Sequence, residues 1–362
     1  MTRTGEQSAQ PTPVTAAARR AAVIEALIPV PSPDIAPLRV AFSRVVSKRW
    51  DAHVPRALGP IAGSITHAQF AKARFIAEMY ARACYSMLLV SAGGPALLRL
   101  PVHATAMLPL SRSFAIRLGS LLLTGLDWLL PQAMHRQLLL ASTLMGMLDV
   151  VLDETASAGE AAARRIALLI TRNPPPNLRP NEELIANLAL LIRRSESAWQ
   201  SDYWETILQP AVRDYCLAEA LAVTHAPDPM DMGHRWAGID AAIKGMWYVV
   251  GPRIGLRGSF SQFEQPGWNR EQQWMADTSL LMQMIDDWVD QDEDRGTRLT
   301  PVIAGNWSPQ SVDDLYRKTV RELWAMMGEN GIQNGVVQQL FADLYDDYLH
   351  AALDAMRAGV AA

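Results

Sequence analysis

The sequence predicts an all-α protein. Three observations carry that prediction. From about residue 38 onward, long segments are dominated by Ala, Leu, Met, Arg and Glu, residues that favour helices or tolerate them at little cost. Pro- or Gly-bearing breaks separate these segments at helix-like intervals. No apolar–polar alternation of period two persists over six residues, so strands are few or absent. Helices of about 15–25 residues with short connectors bury their apolar faces most simply against one another, as a bundle.

Along the chain, residues 1–37 are rich in Ala, Pro, Ser and Thr, and the stretch PVPSPDIAP (29–37) resists regular structure. A flexible N-terminal tail with a short leading helix is expected there, and one helical domain over 38–362. Breaks fall at SAGGP (91–95), LP (130–131), TRNPPPNLRP (171–180), HAPDPMD (225–231), RGSFSQFEQPGW (257–268) and RGTRLTP (295–301). The most apolar stretch, Leu118 to Leu140, is interrupted by Asp127, Pro131, His135 and Arg136, which predicts a pair of core helices and no transmembrane segment.

Composition narrows the function. The 362 residues are 49% hydrophobic and 19% charged, which excludes intrinsic disorder and provides a large core. Thirty-three basic against 37 acidic residues give a net charge of −4 and a pI near 6.0, so no nucleic-acid partner is indicated. Cys84 and Cys216 lie far apart without a C-x-x-C pattern, and are expected to be two buried thiols in a reducing compartment. Arg3, Glu6, Arg19 and Arg20 precede no apolar signal region, and a cytoplasmic protein is expected.

Two segments carry chemistry. LLMQMIDDWVDQDEDRG (280–296) opens as an apolar helix and then places Asp286, Asp287, Asp290, Asp292, Glu293 and Asp294 around Trp288 and Val289. Asp286, Asp290 and Asp294, spaced by four, fall along one helical face, where like charges repel. A solvated acidic helix end would account for Asp292 and Glu293; the apolar turn around Asp286 points instead to a bound cation. LMGMLDVVLDETASAG (144–159) sets Asp149 and Asp153 four apart, followed by Glu154, with no Lys or Arg at i±3 or i±4. An N-cap or a distant Arg is the alternative to a cation there. Hard oxygen donors without His or Cys select Mg²⁺ or Mn²⁺, and Mg²⁺ commonly binds together with a substrate's phosphates. An apolar chain around such a site suits a diphosphate with a hydrocarbon tail.

These segments resemble the two acidic motifs of the class I isoprenoid (terpenoid) synthase superfamily. DVVLDE (149–154) is similar to the first motif, with Val150 where a second Asp is common, and DDWVDQDED (286–294) to the second. DDWVDQDEDR (286–295) is most like the second motif of bacterial tetraprenyl-β-curcumene synthases, and YVVGPRIGL (248–256) faintly resembles squalene and phytoene synthases. The resemblance implies a single-domain helical bundle of the class I terpenoid synthase type with a central apolar cavity. It implies a cluster of three Mg²⁺, with Mn²⁺ as a substitute, held by Asp149, Asp153, Glu154, Asp286, Asp287, Asp290 and Asp294. Among these, Asp149, Asp153, Asp286 and Asp290 are the catalytic candidates. DAAIKGMWYVVGPRIGL (240–256) fits the kinked helix that precedes the second motif, broken at Gly251-Pro252. Lys244, Arg253 and Arg295 would face the diphosphate, with Arg298 a further candidate. Trp247, Tyr248 and Trp288 would line the cavity, where aromatic faces stabilise a carbocation.

The implied activity is ionisation and cyclisation of a linear prenyl diphosphate. Condensing prenyltransferases carry paired arginines soon after the first motif. Here Arg164 and Arg165 stand eleven residues beyond Asp153, and SAGGPALLRLP (91–101) lacks the lysine of the other basic motif. One diphosphate site, and so cyclisation, is the simpler expectation. Head-to-head or chain-elongating condensation, and a non-catalytic helical lipid- or partner-binding protein, are the alternatives. Helical dimers are common in the superfamily, which leaves a homodimer open.

Overall fold

A computed structural model describes residues 13–59, 67–87, 111–129, 132–155, 158–224, 233–254, 270–294, 307–329 and 332–360. The described residues are predominantly helical and contain no strand. In order they form α1 (Pro13–Glu25), α2 (Ala36–Ser43), α3 (Arg49–Leu58), α4 (His67–Met87), α5 (Arg112–Leu129), α6 (Gln132–Thr155) and α7 (Glu160–Leu169). Then follow α8 (Pro180–Arg193), α9 (Ala198–Tyr203), α10 (Gln209–Thr224), α11 (Gly233–Ile254), α12 (Arg270–Val289), α13 (Gln291–Asp294), α14 (Pro309–Glu329) and α15 (Gly335–Val360). A π-helical turn, Arg44–Lys48, joins α2 to α3, and another, Trp204–Leu208, joins α9 to α10. The apolar stretch around Pro131 becomes the expected helix pair α5 and α6, and no described helix is long and apolar enough to cross a membrane.

Helix starts follow local chemistry. Pro180 opens α8, where a missing N–H costs nothing, and Glu182 reaches back to accept from the Arg179 amide at 2.9 Å. Ser197 and Gln200 form a reciprocal capping box at α9: the Gln200 amide donates to Ser197 Oγ, and the Ser197 amide to Gln200 Oε1 at 3.1 Å. Within α6, the hydroxyls of Ser142 and Thr143 donate back to the carbonyls of Leu138 and Leu139, which lets polar side chains lie buried.

One hydrophobic core runs from Ala17 in α1 to Leu353 in α15. Its most extensive helix pair is α4 on α6. Gly146 permits that crossing, since a Cβ there would meet the Ala73 carbonyl oxygen at 2.5 Å. Helix α11 packs against α4, α6, α10 and α12 and so bridges the two acidic segments. Cys84 and Cys216 are buried free thiols, as expected.

The structure adds detail to the sequence expectation at two places. Within residues 1–37, where a tail with a short leading helix is expected, Pro13–Glu25 is a helix with Ala17, Ala21 and Ile24 buried, packed on α12 and α15. The spacing 17, 21, 24, 28 supplies an apolar stripe that the Ala- and Pro-rich composition obscured. At Gly251-Pro252, where a kinked helix with a broken ladder is expected, α11 continues to Ile254, with no N–H at Pro252 to donate to the ladder.

Candidate functional site

The two acidic segments lie on α6 and on the end of α12. The Gly146 crossing sets their geometry: one residue before Ala73 on α4 stands Lys72, and three after Gly146 on α6 stands Asp149. Lys72 Nζ is 3.7 Å from Asp149 Oδ2, with side chains 50% and 36% exposed. From α10, the Tyr215 hydroxyl donates to Asp149 Oδ1 at 3.2 Å. Tyr215 itself lies against Gly238 of α11, where a Cβ would come within 3.0 Å of its ring. Three helices therefore converge on one carboxylate.

Across from it, Asp286 keeps some exposed surface, yet its carboxyl is enclosed enough for desolvation to dominate its titration. Burial first, then the charges of Asp290, Asp287 and Asp149, push that carboxyl well above the ordinary carboxylate range, and Lys72 pulls it back. Asp149 on α6 and Asp286 on α12, 137 positions apart in sequence, thus act on one another through space. Asp287 is buried and accepts from Gln283 Nε2 at 3.0 Å. Asp290 sits where α12 ends, its amide donating to the Asp286 carbonyl at 2.9 Å. Met284, Ile285 and Val289 on α12, with Val150 and Val151 on α6, are buried beside these acids.

The end of α12 is latched from α1. Arg20 donates through Nε and a terminal nitrogen to the Val289 carbonyl at 3.2 and 3.1 Å, and pairs with Asp292 at 2.9 Å. A guanidinium at a helix C-terminus satisfies orphan carbonyls and complements the helix dipole. Asp292, expected on a solvated face, is thus half of an ion pair.

The remaining candidates divide. The side chains of Asp153, Glu154, Asp294 and Arg253, and the whole of Arg295 and Arg298, lie outside the described residues. Lys244 is paired with Asp240 at 2.6 Å, one turn earlier on α11, so its ammonium is already engaged. Trp247 and Tyr248 are fully buried in the core. The Tyr248 hydroxyl donates to Glu196 Oε1 at 3.0 Å and accepts from Gln137 at 3.3 Å, while its ring meets Trp204 edge-on. Burial pushes the Glu196 carboxyl up. Trp288 is half-buried between Asp287 and Val289 and packs on the core.

Lys72, Tyr215 and Arg20 are the participants that sequence reading missed. Lys72 did carry a signal: Ala68, Gln69, Phe75 and Ile76 give it no acid one turn away, so its partner must come from elsewhere. Tyr215 carried none.

Among the described residues, no three or more carboxylate, imidazole or thiolate groups are arranged to hold a metal ion. The donor set itself fits Mg²⁺ or Mn²⁺: Asp149, Asp286, Asp287 and Asp290 offer hard oxygens, and their mutual repulsion favours a cation. A hollow of about 810 Å³ lies elsewhere, lined by Arg112, Tyr316, Trp324 and Asp346 among others, and none of the acidic-motif residues borders it. Set against protein-family profiles, curated proteins and solved structures, the chain matches none of them.

Proposed function

We propose that the protein is a magnesium-dependent class I terpene synthase that ionises a linear prenyl diphosphate and cyclises the resulting carbocation. The observation that carries this reading is the electrostatic meeting of Asp149 on α6 with Asp286, and through it Asp290 and Asp287, on α12. The resemblance of both segments to the superfamily's acidic motifs supports it, as does the apolar flank of each.

Asp149, Asp286, Asp287 and Asp290 would hold the metal, which when bound neutralises the diphosphate as it leaves. Tyr215 orients Asp149 through its hydroxyl, and the Arg20 latch fixes the end of α12 on which Asp290 sits. In the reaction the allylic C–O bond breaks and diphosphate takes the electron pair. The cation then closes onto a double bond of its own chain and loses a proton or captures water. Ile285, Val289 and Val150 keep water from the cation, and Trp288 is the motif aromatic placed beside the acids.

The test is incubation of the pure protein with Mg²⁺ and single prenyl diphosphates from ten to thirty-five carbons, followed by product analysis. Cyclic product from one substrate supports the proposal. Product that requires isopentenyl diphosphate, or that is a head-to-head dimer, assigns a prenyltransferase instead. Asp149→Asn and Asp290→Asn should each abolish turnover, and activity unchanged in both removes the metal assignment.

A further inference from the structure

The hollow of about 810 Å³ is bordered by α14, by α15 and by the segment that joins α1 to α2. Tyr316, Val320 and Trp324, spaced by four, bring one face of α14 to it, and Val30, 83% exposed, adds an apolar edge. Asp343 and Asp346 line it from α15, and Arg112 from the start of α5. Most of these polar groups are spent on one another. Arg112 donates to Asp34 at 2.6 Å and also pairs with Asp343, to which Gln339 donates at 3.1 Å. Asp346 differs. It is 4% exposed and accepts one bond, from the Tyr316 hydroxyl to Oδ1 at 2.6 Å, and no other reaches it from the described residues. A carboxylate offers about four acceptor positions, so most of its capacity is unused at the wall of a hollow.

The surrounding charges leave that acid without a cation. Arg112 is shared between two carboxylates, and Arg317 is paired with Asp313. His350, one turn beyond Asp346, donates to the Pro29 carbonyl at 3.1 Å. Arg321 stands exposed at the edge, so two guanidinium groups, Arg112 and Arg321, meet three carboxylates, Asp34, Asp343 and Asp346. We propose that this hollow binds an organic ammonium, a primary amine with an apolar body, whose N–H groups donate to Asp346 while the body lies against Trp324, Val320 and Val30. Tyr316 stays on Oδ1 and orients the carboxylate. The Trp324 ring attracts the cation as well as the hydrocarbon. No acidic-motif residue borders the hollow, so this site does not depend on the metal reading.

Titration calorimetry on the full chain at about pH 7.5, above the value of about 6 to which burial pushes Asp346, tests this. The probes are phenethylammonium chloride, the isosteric phenethyl alcohol, and hydrocinnamate as the anion. The wild type should bind phenethylammonium at one site about tenfold more tightly than the alcohol, the factor a charge-assisted hydrogen bond supplies. Asp346→Asn should lose that preference and still bind the alcohol as the wild type does. Trp324→Leu, which leaves the carboxylate in place, should weaken phenethylammonium about threefold. Equal binding of ammonium and alcohol, or tightest binding of hydrocinnamate, overturns the proposal, the latter because Arg321 would then set selectivity. A preference retained in Asp346→Asn overturns it too, as does no binding of phenethylammonium to the wild type at millimolar concentration. Should Asp346→Asn fail to fold, Trp324→Leu decides: weakening upholds the site, and unchanged affinity removes it.

Discussion

Helix α11 runs through Pro252, and that continuity has a physical cost that one side chain offsets. Proline has no N–H, so the Tyr248 carbonyl four residues earlier loses its ladder donor. Gln200, from the start of α9, donates through Nε2 to that carbonyl at 3.1 Å and to Gln137 Oε1 at 3.0 Å. Gln200 Oε1 meanwhile accepts from the Ser197 amide. Replacing Gln200 by Met keeps the volume and deletes these bonds. A buried carbonyl left without a donor costs about 1–3 kcal/mol, and the lost capping contact about 1 more. The expected loss is roughly 3 kcal/mol, or about 5 °C in melting temperature for a chain of this size. Thermal unfolding gives the total, and hydrogen exchange should localise faster opening to the second half of α11. A loss under about 1 kcal/mol, or exchange unchanged along α11, would refute Gln200 as the substitute donor.

Three further outcomes are expected. Asp286→Asn should raise the melting temperature in EDTA, because the wild-type carboxyl is buried among Asp290, Asp287 and Asp149, and should abolish stabilisation by added Mg²⁺. Asp346 is pushed up to about 6 from an ordinary 3.8, by burial first, against the opposing bond from Tyr316, so between those values the folded chain binds more protons than the unfolded. Its contribution to stability therefore falls as pH rises from about 4 to about 6. Asp346→Asn should flatten that slope, and a melting curve of pH parallel to the wild type's would contradict the assignment. Gly146→Val should cost about 2 kcal/mol, since its Cβ meets the Ala73 backbone oxygen at 2.5 Å, whereas Gly328→Ala, with nothing within 4 Å, should cost nothing in thermal unfolding.

The helical class was legible because composition and breaks agreed: the 171–180 break does separate α7 from α8. The acidic candidates were legible because carboxylates four apart beside Ile285 or Leu148 make no sense as a solvated surface alone. Other features were present in the sequence and outweighed. Asp240 stands one turn before Lys244, a spacing that already predicts their ion pair, and the 17, 21, 24 stripe marks α1 as a packed helix. Tyr215, Gln200 and Arg20 were not legible at all. Each acts on a partner 48 to 269 positions away, and nothing in a local window distinguishes a tyrosine that orients Asp149 from one that fills space. Long-range hydrogen bonds are set by how helices cross, and the crossing angle is a property of packed pairs.

The acids on α6 and α12 oppose folding, and the surrounding contacts show how the chain withstands them. The Asp286 carboxyl lies among three like charges, a state that would push the helices apart if nothing resisted. Resistance comes from outside the cluster. The α4–α6 crossing fixes Asp149 with no side chain at Gly146, α11 packs on both acidic helices, and Arg20 ties the last carbonyl of α12 to α1. None of these contacts neutralises the cluster, whereas Lys72 offsets part of its charge at Asp149. On the metal reading proposed above, a divalent cation would relieve a repulsion already imposed by packing. On that reading, α1 belongs to the proposed site although it contributes no ligand.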